Sequence, residues 1–269
     1  MRSFVRSHVI AALSIALIFA AMRGRTASAM DATTLLNQMV DALGGAANIE
    51  KIHTMYFKWN AVSMQFENPA SPVHMHVHQV GEEWLTSDGN DRVETHSAAM
   101  QAPPVVEVLA TGSPPQGWML AGDQGVPSGN TTAQTAQLSG PDLSREISHV
   151  YWTTFAYSAA KGRLPGTVTY KPTPGSPDYL LEMDPQGGEP IRASISAKTF
   201  LPGKITIGNG TSKMVVTFGN WKSVDGVKFP FHMTISLDEE QMKLNYTFTK
   251  VALNIPVSGN LFKQLVPAI

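Results

Sequence analysis

Alternating apolar and polar residues mark the last quarter of the chain. Between residues 229 and 237, and again between residues 242 and 248, every second residue is apolar. Side chains of a strand point to opposite faces with a period of two. The pattern therefore predicts antiparallel strands with one apolar and one solvated face. The polar segments 224–226 and 238–240 are short enough to be hairpin turns.

The same period of two runs through most of the chain before this region. It begins at residues 55–61, where Met55, Phe57, Trp59 and Ala61 alternate with polar or partly polar residues. Because these segments are bounded by Gly, Pro, Asn or Asp, each reads as one strand of a meander. The further predicted strands are residues 73–80, 83–86, 92–98, 105–110, 117–120, 167–171, 179–183, 190–197 and 204–208.

A helix is predicted directly after residue 30, where the apolar residues recur with the period of a helix. Five apolar residues fall on one helical face, Asp31 or Thr33 can cap the start, and Gly44-Gly45 can end the helix. These five are Leu35, Leu36, Met39, Val40 and Leu43. A shorter helical turn is predicted at residues 46–52.

A second helix is predicted between the two groups of strands, at residues 139–160. Its apolar residues are Leu143, Ile147, Val150, Tyr151 and Phe155. The preceding residues 122–140 are rich in Gly, Ser, Thr and Gln, which predicts a mobile loop. Loop and helix together would form a lid over the sheet.

The first 29 residues have the composition of a secretory signal. Arg2 and Arg6 precede an uncharged run at residues 9–22, and small residues at 26–29 offer a cleavage site after Ala29. We expect cleavage there, which leaves residues 30–269 as a single exported domain. Arg23 and Arg25 lie unusually close to this site, so an uncleaved N-terminal anchor is the alternative.

Composition excludes several classes of function. The chain has no cysteine, and without residues 1–29 it carries 16 Lys and Arg against 21 Asp and Glu, a net charge of −5. Disulfides, thiolate metal sites and a cysteine nucleophile are therefore absent. A negative domain is not expected to bind nucleic acid.

The search for catalytic motifs predicts a protein that is not an enzyme. Ser158 and Lys161 have a Ser-x-x-Lys spacing without the companion motifs of enzymes that use it, and no other catalytic signature is present. Glu82-Glu83 and Glu239-Glu240 are paired acids, but they are predicted to lie in turns as solvated charges. No catalytic residue and no cofactor are expected.

Histidines at alternate positions form the sharpest local signal. His74, His76 and His78 would project from one face of a strand, with His96 on a neighbouring strand, and such a set can bind Zn²⁺ or Cu²⁺. The alternative is that they form the wet exterior of an ordinary amphipathic strand, since Val73, Met75 and Val77 make up its apolar face. The sequence favours the second interpretation, in which the histidines form the solvent-exposed face of the strand.

Three short motifs resemble those of the LolA/LolB-like outer-membrane lipoprotein-sorting superfamily. They are LNQMVDALGG at residues 36–45 followed by IEKI at 49–52, FGNW at 218–221 with VDGVKFPF at 224–231, and NIPV at 254–257 with Leu261-Phe262. The resemblance implies a mainly β, α+β fold. In it, a curved antiparallel sheet forms an unclosed β-barrel with an N-terminal helix and an inserted lid helix. It also implies a periplasmic protein, since some members carry lipid or acylated proteins across the periplasm.

The predicted strands present more apolar surface than two helices can cover, and leaving such surface in water is costly. The sheet therefore curls around its own side chains or holds an apolar ligand. We expect a carrier of the acyl chain of a lipid or lipoprotein, with an envelope protein as a further partner. A protein-interaction scaffold with a filled core and a periplasmic metal binder are the alternatives. The residues predicted to line the ligand site are Met55, Phe57, Trp59, Trp118, Leu143, Ile147, Trp152, Met214, Phe218, Phe229, Phe231, Met233, Ile235, Leu244, Tyr246 and Phe248.

Overall fold

The computed structural model describes residues 30–66, 74–97, 104–121, 134–162, 166–172, 175–210, 213–237 and 242–263. The predicted signal segment, residues 1–29, and the acids Glu239-Glu240 lie outside them. Within the described residues, no helix combines the length and the apolar run that a transmembrane span requires.

Thirteen strands form one antiparallel sheet that does not close into a barrel. The strands are β1 (Thr54–Phe66), β2 (His74–Thr86), β3 (Asp91–Ser97), β4 (Val105–Ala110), β5 (Gln116–Ala121), β6 (Gln134–Gln137), β7 (Thr167–Lys171), β8 (Asp178–Asp184), β9 (Ile191–Ser196), β10 (Pro202–Ile207), β11 (Met214–Val224), β12 (Val227–Leu237) and β13 (Met242–Leu253). The order across the sheet is β6-β5-β4-β3-β2-β1-β13-β12-β11-β10-β9-β8-β7. Two consecutive meanders are thus joined where β1 pairs with β13.

In the described part of the chain, three α-helices accompany the sheet: α1 (Ala32–Leu43), α2 (Ala46–Ile49) and α3 (Gly140–Ala160). The chain adds a 3-10 helix at Gly259–Phe262. Helix α3 is the connection between β6 and β7, the two edge strands of the sheet. It therefore lies across the gap between β6 and β7, which are not hydrogen-bonded to each other. The prediction of an unclosed sheet with an inserted helix is confirmed.

Most of the sequence-based elements are confirmed, and two are corrected. Residues 134–137 of the predicted mobile loop form strand β6, while residues 122–133 lie outside the described residues. Residues 74–86 form one long strand rather than two short ones, because β2 pairs with β1 without interruption. Acids that were predicted to lie in a turn, Glu82 and Glu83, therefore lie within a strand.

The start of α1 follows the capping chemistry of its sequence. The backbone N–H of Thr34 donates to Asp31 Oδ1 at 2.7 Å, and the helix ends at Gly44, whose φ is 136°. All five residues of the predicted apolar face are buried. They pack against the inner face of the sheet in the main hydrophobic core.

The three motifs that carried the family resemblance meet at one end of the molecule. The carbonyl oxygen of Gly226, in the β11–β12 turn, lies against the α-carbon of Gly44 so closely that a Cβ there would be 2.2 Å away. Asn254 accepts a hydrogen bond from the backbone N–H of His53 at 2.8 Å, and its own N–H donates to Thr54 O at 2.8 Å. The first contact therefore fastens α1 to the β11–β12 hairpin, and the second fastens the end of β13 to the start of β1.

Candidate ligand-binding site

Helix α3 and the inner face of the sheet enclose a cavity of about 350 Å³. Its walls are strands β1 and β10–β13 and helix α3, with contributions from α1, α2 and strands β2–β4. Most of the lining is apolar, including four flexible methionines. These are Met39, Met55, Met214 and Met233.

Eleven of the sixteen residues predicted from the sequence lie on the wall of this cavity. Each belongs to a strand that alternates in the predicted sense, apart from Trp152 on α3. The eleven are Met55, Phe57, Trp59, Trp152, Met214, Phe218, Phe229, Met233, Ile235, Tyr246 and Phe248. That they contact a ligand stays a prediction.

Three of the other five predicted residues lie on strands but outside the cavity wall. Leu244 is buried on β13, where it pairs with Ser63 and Ile235. Phe231 lies beneath the Lys222 ammonium, 4.6 Å from its ring centre. Trp118 packs on the outer face of the sheet with Val108 and Phe262. The prediction for Trp118 had the wrong face of the sheet. For Leu244 and Phe231, alternation alone did not exclude them from the cavity wall, because the curvature of the sheet decides which inward residues reach it.

The last two, Leu143 and Ile147, lie on the wrong side of α3 for the cavity. The helix has a stripe that packs into the core and contains Val150, Tyr151 and Phe155. A second stripe faces the cavity, and it consists of Arg145, Glu146, His149, Trp152, Thr153, Ala156 and Tyr157. Leu143 and Ile147 were predicted because the first stripe is the more apolar one, whereas the predicted Trp152 belongs to the second.

Aromatic contacts hold α3 against the sheet. The ring of Trp152 stacks on Phe155 and on Phe218, at centroid distances of 5.9 Å in both pairs. Trp59 and Tyr246 meet edge to face at 4.9 Å on the opposite wall. Offset and edge-to-face pairs of this kind add to the stabilisation from burial. Trp152 therefore anchors the helix and also lines the cavity.

A pair of hydrogen bonds ties the middle of α3 to the β8–β9 loop. The backbone N–H of Glu189 donates to Ser148 Oγ at 2.6 Å, and Ser148 Oγ lies 3.0 Å from the Glu189 carbonyl oxygen. Ser148 is fully buried. This side of α3 is therefore held by backbone polar groups, whereas the cavity side is held by side chains.

Strands β2, β3 and β4 contribute acidic side chains to the inner face, opposite α3. Glu83 on β2 lies opposite Phe57 of β1, and its neighbour Glu82 points outward to Lys58 at 2.8 Å. Glu83, Asp91, Glu107, Glu146 and His149 form what we call the acidic cluster. Four of them line the cavity, and Asp91 lies behind them. The sequence prediction of solvated charges at Glu82-Glu83 is wrong for Glu83.

Sequence reasoning missed the acidic cluster, although one signal in the strand pattern pointed to it. Leu85 is buried, so strand parity places Glu83, two residues earlier, on the same inner face. Reading residues 83–86 as a separate strand hid this relation. No comparable signal marks Glu146 and His149, because their side of α3 is the less apolar one.

Burial raises the pKa of two carboxyl groups in the acidic cluster, those of Asp91 and Glu107. Asp91 is only 1% exposed, and desolvation together with the charges of Glu83 and Glu146 raises its pKa well above its ordinary value. Desolvation, assisted by Glu146, raises the pKa of Glu107 to about 7. The cavity thus ends in a region where protonated acids are favoured.

Two neighbouring groups respond to the same negative charge. Burial lowers the pKa of His149, but the hydrogen bond to Glu83 and the charges of Glu83, Glu146 and Asp91 outweigh it and raise this pKa to about 10. A third of the His149 side chain is exposed, at 34%, so solvent screens part of this effect. Burial, with Glu83 and Glu107, raises the pKa of Tyr246 to about 12. The acidic cluster therefore lies at the Tyr246 side of the apolar cavity.

These shifts predict that the folded protein loses stability as the pH rises. The pKa of Glu107 is about 7 when folded and near 4.5 when unfolded. The folded state therefore becomes less stable relative to the unfolded state as the pH rises from about 4.5 to about 7. The raised pKa of His149 contributes stability that is complete below pH 6.5 and is lost as the pH rises through about 10. We expect the free energy of unfolding, measured by urea titration in EDTA, to be about 1–3 kcal/mol lower at pH 8.5 than at pH 5.5.

The variant Glu107→Gln provides the control for this pH dependence. It removes the titration of Glu107 and should flatten the part of the profile below pH 7. Outer-face acids such as Glu82, whose pKa the Lys58 hydrogen bond lowers, have already ionised at pH 5.5 and add little over this range. A profile that rises with pH would contradict the assignment.

His78 of β2 and His96 of β3 lie on the other face of the sheet. His78 and His96 are both exposed, and His96 pairs with Val80, which is two residues beyond His78. The side chains of His74 and His76 lie outside what the structure describes. Among the described residues, the three side chains placed close enough to share a metal ion are Glu83, Asp91 and His149. The histidine strand as a metal site stays a prediction that the described side chains do not support.

Comparison with known proteins gives matches in structure but not in sequence. No family model matches the chain, and no curated protein is significantly similar in sequence. A LolA superfamily protein from Nitrosomonas europaea superposes with a TM-score of 0.55 at 12% identity, over 87% of this chain and 98% of the other. A DUF1329 family protein from Desulfovibrio piger superposes with a TM-score of 0.56 at 8% identity, over 87% and 98%.

A third solved structure points to the same fold. It is a candidate outer-membrane lipoprotein-sorting protein domain from Vibrio parahaemolyticus, with a TM-score of 0.53 at 10% identity, over 86% of this chain and 95% of the other. Identities this low relate folds rather than functions. The predicted resemblance is therefore confirmed at the level of structure, and this chain has the fold of the LolA superfamily and the lipoprotein-sorting domains.

Proposed function

We propose that this protein is an exported, periplasmic binding protein that holds the acyl chain of a lipid or lipoprotein in its cavity. The observation that carries the proposal is the apolar cavity of about 350 Å³ beneath α3. Ligand sites of proteins commonly have volumes of about 300–1,000 Å³ and mostly apolar walls. Replacing solvent by an alkyl chain against such walls lowers the free energy, because apolar surface leaves water.

The side chains of the wall suit a ligand of variable shape. Met39, Met55, Met214 and Met233 are unbranched and polarizable, so they adapt to different chains. Binding would be passive: α3 moves away from the sheet, the chain enters, and the helix returns. Trp152 is the contact that must separate, because it bridges α3 and Phe218 on β11.

Export rests on the predicted signal at residues 1–29, and the lipid-carrying role is consistent with the fold shared with lipoprotein-sorting domains. No catalytic step is part of the proposal. Transfer to an acceptor would follow the difference in affinity for the acyl chain. A protein partner in the cell envelope is proposed as that acceptor.

A brominated fatty acid tests the proposal through tryptophan fluorescence. Three of the five tryptophans, Trp59, Trp152 and Trp221, line the cavity, whereas Trp84 and Trp118 pack on the outer face. Bromine quenches tryptophan only at short range, so we expect saturable quenching of a large part of the emission. The variant Trp152→Phe keeps the aromatic wall and should lose part of the quenched signal.

A matched pair of variants separates cavity binding from surface adsorption. Ala156→Phe puts a ring into the cavity from α3 and should weaken the affinity for the fatty acid at least about tenfold, since one displaced contact is worth about 1–3 kcal/mol. Thr217→Phe adds the same ring at an exposed position of β11 and should bind like the unmodified protein. Equal quenching in both variants, or none in the unmodified protein, would favour the scaffold alternative.

A further inference from the structure

The acidic cluster is not needed to hold an alkyl chain, and it makes one end of the cavity polar. Its members come from separate parts of the chain: Glu83 from β2, Asp91 from β3, Glu107 from β4, and Glu146 and His149 from α3. The side chains of Glu83, Asp91 and His149 each present one ligand atom, and these atoms lie within 4.8 Å of one another. The fold thus brings three possible metal ligands to one point.

The most telling member is Asp91. It is 1% exposed, and neither carboxylate oxygen has a hydrogen-bond donor among the described residues. Glu83 Oε1 is likewise buried, and its one partner among the described residues is His149 Nε2, at the long distance of 3.5 Å. A buried carboxylate without a partner costs free energy, so proteins protonate it, pair it or give it a metal ion. The two unpaired Asp91 oxygens, beside a loosely paired Glu83 oxygen, indicate a place for a cation.

The charge balance around the cluster also favours a cation. Four carboxyl groups face one imidazole, and the only other base on this wall of α3 among the described lining residues is Arg145. Arg145 lies one turn before His149, and its Nε has no partner in the described part of the chain. If every acid is ionised and His149 is neutral, as a metal ligand must be, positive charge is short by about three units. A divalent ion supplies two of them.

We propose that Glu83, Asp91 and His149 form a binding site for a divalent transition metal of the Zn²⁺ class. One imidazole nitrogen and two carboxylate oxygens are ligands that zinc accepts, at about 2.0–2.2 Å each. Two tetrahedral ligands are then about 3.4 Å apart, close to the 3.5 Å between His149 Nε2 and Glu83 Oε1. The widest spacing in the set is at most 4.8 Å, so side-chain shifts of about 1 Å complete the site.

The site would connect the lid to the sheet. Two ligands belong to the sheet and the third to α3, so a bound ion would hold the helix closed over the cavity. Glu146 and Glu107 lie beside the ligands on the cavity side, where a fourth ligand or a solvent molecule could complete the coordination. This inference goes beyond acyl-chain binding, and it does not depend on it.

The test uses the protein expressed from its full sequence, stripped with EDTA and dialysed free of it. We expect one Zn²⁺ per chain by calorimetric titration and a higher melting temperature with Zn²⁺ than without, because the ion binds the folded state. Asp91→Asn and His149→Gln keep the shape of the side chains and should each weaken Zn²⁺ binding at least about tenfold. The Co²⁺-loaded protein should show the visible absorption of a low-coordinate site, and Asp91→Asn should lose it.

Two controls keep the result interpretable. His78→Gln removes an exposed histidine of the outer face and should leave the affinity for Zn²⁺ unchanged. Without metal, Asp91→Asn should melt no lower than the unmodified protein, because it removes a buried unpaired charge. A loss of Zn²⁺ binding in a folded Asp91→Asn variant therefore reports the site and not the fold.

Three results would overturn the proposal. Zn²⁺ could leave the melting temperature unchanged, or its effect could persist in both ligand variants, or His78→Gln could abolish it and so place the ion on the histidine strand.

A separate experiment tests a competing occupant of the acidic cluster, an organic ammonium group. If dodecylamine raises the melting temperature of the metal-free protein, dodecanoate does not, and Zn²⁺ has no effect, the cluster recognises a cationic headgroup instead.

Discussion

Replacing Gly44 by alanine is expected to lower the free energy of unfolding by about 3 kcal/mol or more. Gly44 has a φ of 136°, which a residue with a Cβ rarely adopts, and its Cβ would lie 2.2 Å from the carbonyl oxygen of Gly226. Backbone strain of this kind costs about 1–3 kcal/mol, and forcing extra atoms into a close contact adds about 1–3 kcal/mol. Because the contact is with backbone, no side-chain rotation relieves it. Urea denaturation monitored by circular dichroism measures the loss.

Two glycine variants separate the strain from the contact. Gly45 has a φ of 83°, but a Cβ there would meet nothing within 4 Å, so Gly45→Ala should show the strain alone. Gly219→Ala has neither feature and should change stability by less than about 1 kcal/mol. If Gly44→Ala costs no more than Gly45→Ala, the end of α1 is not held rigidly against the β11–β12 turn.

Truncating Phe155 to alanine is expected to cost about 3–5 kcal/mol, the range for a large aromatic residue in a core. Phe155 is 2% exposed and contacts the rings of Tyr151 and Trp152, at centroid distances of 5.7 and 5.9 Å. Its loss leaves a void between α3 and the core. We therefore expect a lower melting temperature and faster hydrogen exchange of the α3 amides than in the unmodified protein.

Phe231→Ala is the matched control. The sequence predicted Phe231 as part of the ligand site, but it is only partly buried, lies outside the cavity wall and contacts the Lys222 ammonium. We expect a loss of about 1 kcal/mol and no change in α3 exchange. Equal losses from the two variants would mean that α3 is not part of the cooperative core.

The two variants of largest effect concern opposite sides of the cavity. Gly44 fixes α1 and the hairpin that forms one wall of the cavity, whereas Phe155 fixes α3 above it. A carrier needs a stable wall and a lid that opens at lower cost. Hydrogen-exchange rates of the α1 and α3 amides, measured with and without a fatty acid, would show which of the two helices changes in stability when the fatty acid is present.

The resemblance to the lipoprotein-sorting family depended on motifs whose role is structural. Gly44 and Gly226 join α1 to the hairpin, and Asn254 joins the end of β13 to the start of β1. Such positions are recognisable in a distant relative because backbone geometry leaves few substitutes for glycine at a positive φ. The ligand-facing residues give no comparable signature, which is why the motifs predicted the fold and left the ligand open.

The sequence by itself determined the local elements and which side of each is apolar. The strands from β11 to β13 and the buried face of α1 follow from the period of hydrophobic residues, and Asp31 and Gly44 mark the ends of that helix. These properties depend on neighbours a few residues away along the chain. Sequence analysis reads them well for that reason.

Tertiary structure decided the cavity wall and the acidic cluster. Leu143 and Ile147 are apolar but face the core, while Arg145 and His149 face the cavity, because the curvature of the sheet fixes how α3 is rotated against it. Glu83, Asp91 and His149 become neighbours only when two strands and a helix from distant parts of the chain are brought together. The burial of a charge is set by those distant neighbours, and a period along the sequence carries no information about them.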